Sequence, residues 1–294
     1  MPRRKKGQPI SGWLILDKPY GLSSTQALGK VRWLLDAQKA GHGGTLDPLA
    51  TGVLPLAFGE ATKTLPFVLD KGKTYQFDVN FGAATTTADV EGEVIATSQN
   101  RPTATQIEQI LSKFTGQIAQ IPPAYSAVKV DGERAYKKAR NGEDVALTPR
   151  DVTIHNLALL SFDGDTAQFE ATVSKGTYIR ALGVDMAHAL GTCGHISRLR
   201  RTHIPPISLE NAVLLDDVQK KVANAGGRGH IPAQILLPTD WVLDDILACH
   251  VTTEDANRLK HGQNIVLPDA PPGLVRAKTQ DGQLLSLLQV ASDG

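Results

Sequence analysis

Gly41-His42-Gly43-Gly44-Thr45-Leu46-Asp47-Pro48-Leu49-Ala50-Thr51-Gly52 is the stretch of this chain best suited to chemistry: four glycines around one carboxylate, Asp47. Glycine permits backbone angles and close approaches that a Cβ forbids, so the segment reads as a shaped loop. Pro48 biases Asp47 towards extended backbone and gives its side chain a defined direction. The loop contains no Lys or Arg, so Asp47 is either solvated or meets a cation from a distant segment. Three chemistries compete. A phosphate cradle lacks the Lys-Ser/Thr ending of a P-loop. An aspartyl-phosphate site lacks a second acid and a magnesium-binding cluster nearby. A single catalytic carboxylate, held ionised by a cation, fits the residues best.

The leading cation is Arg180, in the first turn of the helix expected after Lys175-Gly176-Thr177. Tyr75, on a strand, offers an aromatic wall for the same cleft. Each residue has a plainer reading: Tyr75 as core, Arg180 as surface, Asp47 as a turn cap. Spacing alone does not choose between them. His188, Cys193, His195 and His203 invite a zinc reading but lack paired Cys-x-x-Cys spacing, so no metal site is expected.

The elements that must hold these residues follow from periodicity. Gly12–Leu16 is an apolar strand, followed by a helix that Ser23 or Ser24 caps and that buries Ala27, Val31, Leu34 and Leu35. Thr74 to Phe81 alternates, with Tyr75, Phe77, Val79 and Phe81 on one face. Thr103 and Gln106 have capping-box spacing ahead of Ile107, Ile110 and Leu111. Arg134 to Arg140 reads as a basic helix, and strands are expected at 152–162 and 167–173. A helix with Ile179, Leu182, Met186 and Leu190 on one face then carries Arg180. Residues 196–202 mix basic and apolar side chains without a clear period, and 223–239 read as a linker. Beyond it a short helix precedes a hairpin at Asp281-Gly282. Strands and helices interleave without regular βαβ spacing, which predicts an α+β fold.

Composition bounds the partners. At 41% apolar and 21% charged, the 294 residues describe a globular chain with no run long enough to span a membrane. No secretory signal is expected, and two cysteines form no disulfide framework, so a reducing cytoplasm is the expected location. The net charge of +1 conceals asymmetry: residues 1–40 carry +6, residues 240–294 carry −4. Basic residues cluster again at 129–140 and at Arg198, Arg200 and Arg201. That pattern suits a polyanionic partner such as nucleic acid, or equally a set of solvated faces.

The glycine loop closely resembles the catalytic motif of bacterial tRNA pseudouridine synthases of the TruB type. Gly12–Ser24, Lys73-Thr74-Tyr75, Ile121–Lys129, Lys175–Arg180 and Leu199–Arg201 resemble that family's other motifs, in its order. The resemblance implies a pseudouridine synthase fold: a mixed, largely antiparallel central sheet with flanking helices, spanning residues 10–240. It also implies a basic disordered tail at 1–9 and a small β-rich PUA-like RNA-binding domain at 241–294. The implied reaction isomerises uridine to pseudouridine at position 55 in the T loop of tRNA, by a monomer without cofactor or metal. Asp47 matches the catalytic nucleophile, Arg180 its cation and Tyr75 the residue stacked on the target base. His42, Leu199, Lys18 and Arg201 match residues at the substrate RNA, Lys18 in a supporting role. A tRNA-folding chaperone, or a synthase acting on another RNA, are the alternatives. Two departures stand out: Thr86 where the family often has an acid, and Gly43 where some relatives have Thr.

Overall fold

The computed structural model describes all residues except 1–5, 124, 127, 131, 136–137, 139–142, 144–146 and 292–294. Strand β1 (Gly12–Lys18) leads into helix α1 (Ser24–Leu34), then β2 (Ala40–His42) and β3 (Ala50–Phe58). Helix α2 (Leu65–Leu69) and β4 (Lys73–Phe81) follow, then a small hairpin of β5 (Ala83–Thr85) and β6 (Val94–Thr97). Next come α3 (Ala104–Leu111), β7 (Gly116–Gln120) and a short pair, β8 (Lys129–Val130) and β9 (Glu133–Arg134). Two long strands, β10 (Arg150–Phe162) and β11 (Thr166–Val173), precede α4 (Ile179–Ala189) and β12 (Gly194–Ile204). The main body closes with β13 (Ile207–Ser208), β14 (Val213–Leu214) and α5 (Leu215–Asn224). The C-terminal unit holds β15 (Ala248–His250), α6 (Thr253–Lys260), β16 (Gly273–Lys278) and β17 (Leu284–Val290).

One ten-stranded sheet organises the main body, in the order β14-β1-β3-β12-β4-β11-β10-β7, with β2 on β3 and β13 on β12. Its pairs are antiparallel except β1 with β14 and β3 with β12. The expected α+β class and largely antiparallel sheet are what the chain forms. A three-stranded sheet, β15-β16-β17, makes the small C-terminal β unit.

Because strand side chains alternate, β1 and β3 feed two cores. Leu14, Leu16, Leu54 and Leu56 join α1, α3, α4 and α5 on one face, while Trp13, Ile15 and Val53 join α2 on the other. On β4 the alternation is complete: Tyr75, Phe77, Val79 and Phe81 point into the helix-covered core. Its opposite face is polar and tied across to β11, where Gln76 donates to Glu170, Gln168 donates to Asp78, and Thr74 meets Thr172. Such cross-strand pairs fix the register that places Tyr75 opposite Ala171 and Arg201. Ser23 caps α1 in a capping box with Gln26, and Thr103 does so for α3 with Gln106.

Three segments take a form that the sequence pattern did not announce. The stretch 196–202 lies in β12, in the middle of the sheet. Residues 215–224 form α5, a helix the sequence pattern did not announce. Gln8, placed by sequence in the tail, bridges to Ala37 and donates its amide to Gly229 O. The basic helix expected over 134–140 lies largely outside the described residues.

Candidate active site

Asp47 sits in the loop between β2 and β3, where Leu199 of β12 pairs with Ala50 at the start of β3. Arg180, the second residue of α4, reaches it: Nε lies 3.0 Å from Asp47 Oδ2. The guanidinium is held on every side. Nη1 donates to Thr87 O at 2.8 Å and lies 3.6 Å from Asp89 Oδ2, while Nη2 donates to Tyr125 O at 2.8 Å. With 7% of its side-chain surface exposed, Arg180 has a single orientation, set by backbone carbonyls and shared by two carboxylates. Asp89 is itself buried and accepts hydrogen bonds from Thr87 Oγ1 and the Glu91 amide.

These groups border a cavity of about 20 Å³, enough for a water, that opens outward. Leu49, Val90, Ile196 and Leu199 form its apolar walls, and Ser197 and Arg198 its rim. Although 41% of the Asp47 side chain faces this opening, protein encloses the rest, and burial pushes its pKa above the ordinary 3.8. Arg180 opposes that rise, Asp89 adds to it and Lys18 opposes it. The carboxylate is thus a stronger base than a solvated one, kept available by its cation.

The loop's other partners hold it from below. Lys18, fully buried, donates from Nζ to the carbonyls of Pro19, Leu22 and Pro48. Burial lowers its pKa to about 8, with Asp47 opposing and Arg201 assisting. Arg201 is 1% exposed; Nε donates to Val53 O and Nη2 to Gly44 O. A Cβ at Gly52 (φ +98°) would lie 2.1 Å from Arg201 O, so only glycine lets the two strands meet there. Gly41 and Gly43 have a related role: a Cβ on either would press into Leu65 or Val68 of α2.

The structure therefore brings Asp47, Arg180 and Leu199 around one cavity. Tyr75 is 8% exposed in the main core and is not among that cavity's lining residues. His42 sits on β2, partly buried; its Nδ1 has no hydrogen-bond partner among the described residues, and burial followed by Arg201 lowers its pKa. Lys18, expected in a supporting role, and Arg201, expected at the RNA, both lie inside the protein and donate to backbone carbonyls. The reason is geometric: alternation along β12 sends Arg198 outward, pairs Arg200 with Asp17 at 2.7 Å and turns Arg201 inward. Asp89 is the participant the sequence reading passed over. Its signal was available, since it follows the Thr85-Thr86-Thr87 run in the loop whose role the substitution at Thr86 had left open. Among the described residues, no three His, Cys, Asp or Glu side chains gather as a metal site.

Comparison with known proteins adds a second line of observation. Residues 32–179 match the model of the TruB family pseudouridylate synthase N-terminal domain, and 180–244 that of the tRNA pseudouridylate synthase B C-terminal domain. A protein named tRNA pseudouridine synthase B from Caulobacter sp. (strain K31) is 51% identical over 268 residues, covering 91% of this chain and 85% of its own. Its namesake from Bradyrhizobium diazoefficiens is 50% identical over 295 residues, covering 98% and 85%. Among solved structures, a chain of a Cbf5-Nop10-Gar1 complex superposes with a TM-score of 0.71 at 27% identity, over 95% of this chain and 78% of that one.

Proposed function

The chain belongs to the TruB family of pseudouridylate synthases, and we propose that Asp47 is the carboxylate with which it isomerises uridine 55 in the tRNA T loop. Conversion of uridine to pseudouridine in tRNA is the activity of this enzyme. The reaction exchanges the C1′–N1 bond for a C1′–C5 bond; C5 releases its proton and N1 gains one. Redox balance is unchanged, so the chemistry asks only for a nucleophile or base, a cation and a closed pocket. Attack on C6, attack on C1′ and proton abstraction all begin with an ionised carboxylate. The observation that carries the assignment is the Arg180 guanidinium, buried, anchored by two carbonyls and 3.0 Å from Asp47.

A uridine stacked in a folded loop hides C5, C6 and C1′, so the target nucleotide flips into the cleft, where Leu49, Val90, Ile196 and Leu199 exclude water. Tyr75 stacks on the flipped base, and His42 enters the space it leaves. Arg198, with over half its side chain exposed, meets phosphate. Lys18 and Arg201 serve the RNA indirectly, through the shape of the loop they brace. The body over 10–240 holds the chemistry, and 241–294 form a PUA-like unit that binds RNA.

Mapping tests this reading. Purified protein and an unmodified tRNA transcript are expected to give one carbodiimide-dependent stop, at uridine 55. A product at another uridine with position 55 untouched would overturn the substrate assignment.

The pH profile provides a second check. Asp47 acts ionised, and its folded-state pKa is raised, so the single-turnover rate falls on an acid limb lying above 3.8. Activity is present above that limb and lost as pH falls through it. Stability runs the opposite way: the folded protein holds this proton more tightly than the unfolded chain, so ionising Asp47 costs stability as pH rises. Asp89→Asn removes a charge that raises the Asp47 pKa and is expected to move the limb to lower pH. An unmoved limb would disconnect Asp89 from Asp47.

A further inference from the structure

We propose that Ser24 is a positioning residue for the reaction, fixing the peptide groups before Asp47 so that its carboxylate meets Arg180; this rests on Asp47 being the reactive group. The Ser24 hydroxyl donates to Leu46 O at 2.9 Å and accepts from the Leu46 amide at 2.8 Å. One side chain thus satisfies both backbone groups of the residue preceding Asp47. Neither group takes part in a strand or a backbone turn bond among the described residues. Ser24 is 1% exposed and Leu46 is 3% exposed, so water does not substitute for either bond.

The helix makes no claim on this hydroxyl. Ser23 performs the capping of α1, accepting from the Gln26 amide, and leaves its neighbour free for the loop. Ala27 and Val31 anchor α1 in the main core, so Ser24 projects from a rigid element. On the far side of Asp47, Pro48 O accepts from Lys18 Nζ at 3.1 Å and from the Gly21 amide at 2.9 Å. The segment 18–24 therefore holds the loop on both sides of the carboxylate, and Ser24 is its half of the grip that no charge reinforces.

Removal of the hydroxyl leaves a buried N–H and a buried C=O unpaired, a penalty the loop relieves by turning them towards water. That rotation carries Asp47 with it, away from a guanidinium that Thr87 O, Tyr125 O and Asp89 keep in place. A misplacement near 1 Å lowers a rate on the order of 10²-fold.

The test is single-turnover tritium release from tRNA labelled at C5 of uridine, with saturating enzyme, alongside filter binding and thermal melting. Ser24→Ala is expected to slow turnover on the order of 10²-fold while the tRNA Kd changes less than about twofold. Ser24→Thr, which keeps the hydroxyl, is expected to recover most of the rate. If Ser24→Ala melts below the assay temperature, Ser24→Cys, close to serine in volume but a weak donor, carries the same measurement. A normal rate in the variant lacking the hydroxyl, a Thr variant as slow as Ala, or a rate loss matched by lost binding overturns the inference. Asp47→Asn run in parallel separates the two layers. If it is inactive while Ser24→Ala is normal, only the positioning role fails; if it turns over, the underlying assignment fails.

Discussion

Asp47→Asn is expected to reduce single-turnover pseudouridine formation on the order of 10⁴-fold or more, with tRNA affinity changed less than about twofold. The substitution keeps the shape of the side chain and removes the anionic oxygen, the nucleophile or base with which every route to C1′–N1 cleavage begins. It also leaves the fold intact. Burial raises the Asp47 pKa more than Arg180 lowers it, so a neutral amide at this site costs less to desolvate than the carboxylate it replaces. Tritium release and filter binding measure the two quantities separately. Turnover within tenfold of the parent, with unchanged binding, would remove Asp47 from the chemistry.

Arg180→Met is expected to lose activity on the order of 10²–10³-fold and to lower stability by about 3–5 kcal/mol, the usual cost of orphaning a buried charge. The reason lies in how many groups share this guanidinium. Asp89 is buried with Arg180 as its only ion-pair partner among the described residues, and Thr87 O and Tyr125 O lose a donor as well. Arg180→Lys tests geometry against charge. An ammonium keeps the positive charge but lacks the planar fork that spans Asp47, Asp89 and two carbonyls at once. It is expected to restore part of the stability and little of the rate, read by thermal melting and single-turnover kinetics. Full activity in the Lys variant would reduce Arg180 to a counter-charge without an orienting role.

Local signals in the sequence went furthest where one element answers to one pattern. The alternation of β4, the capping box of α3 and the glycine loop all state their structure locally. β12 does not, because cations at 198, 200 and 201 argue against a central strand until their partners are known. Asp78, Asp17 and the carbonyls of Val53 and Gly44 receive those three arginines, and none of these partners is near in sequence. The same limit explains Lys18 and Arg201. Both belong to motifs associated with the site, but residue type does not reveal that each is turned inward to shape a loop. For Asp47 and Arg180 the chemistry was legible as a need, a carboxylate requiring a cation. Only the fold states the third member, Asp89, and the carbonyls that aim the guanidinium.

The position of β12 has a consequence for how the enzyme comes into being. Its neighbours β3 and β4 are made early, yet they do not pair with each other; β12, made far later, lies between and joins them. Its parallel pairing with β3 closes a long loop, a step whose entropic cost places it late in folding, after hairpins such as β10–β11 have formed. While a ribosome is still extending the chain through α4, the Asp47 loop therefore waits without its Leu199 wall or the Arg201 clamp. A nascent chain carries the Asp47 carboxylate long before it carries the cleft around it, and insertion of one strand closes that cleft.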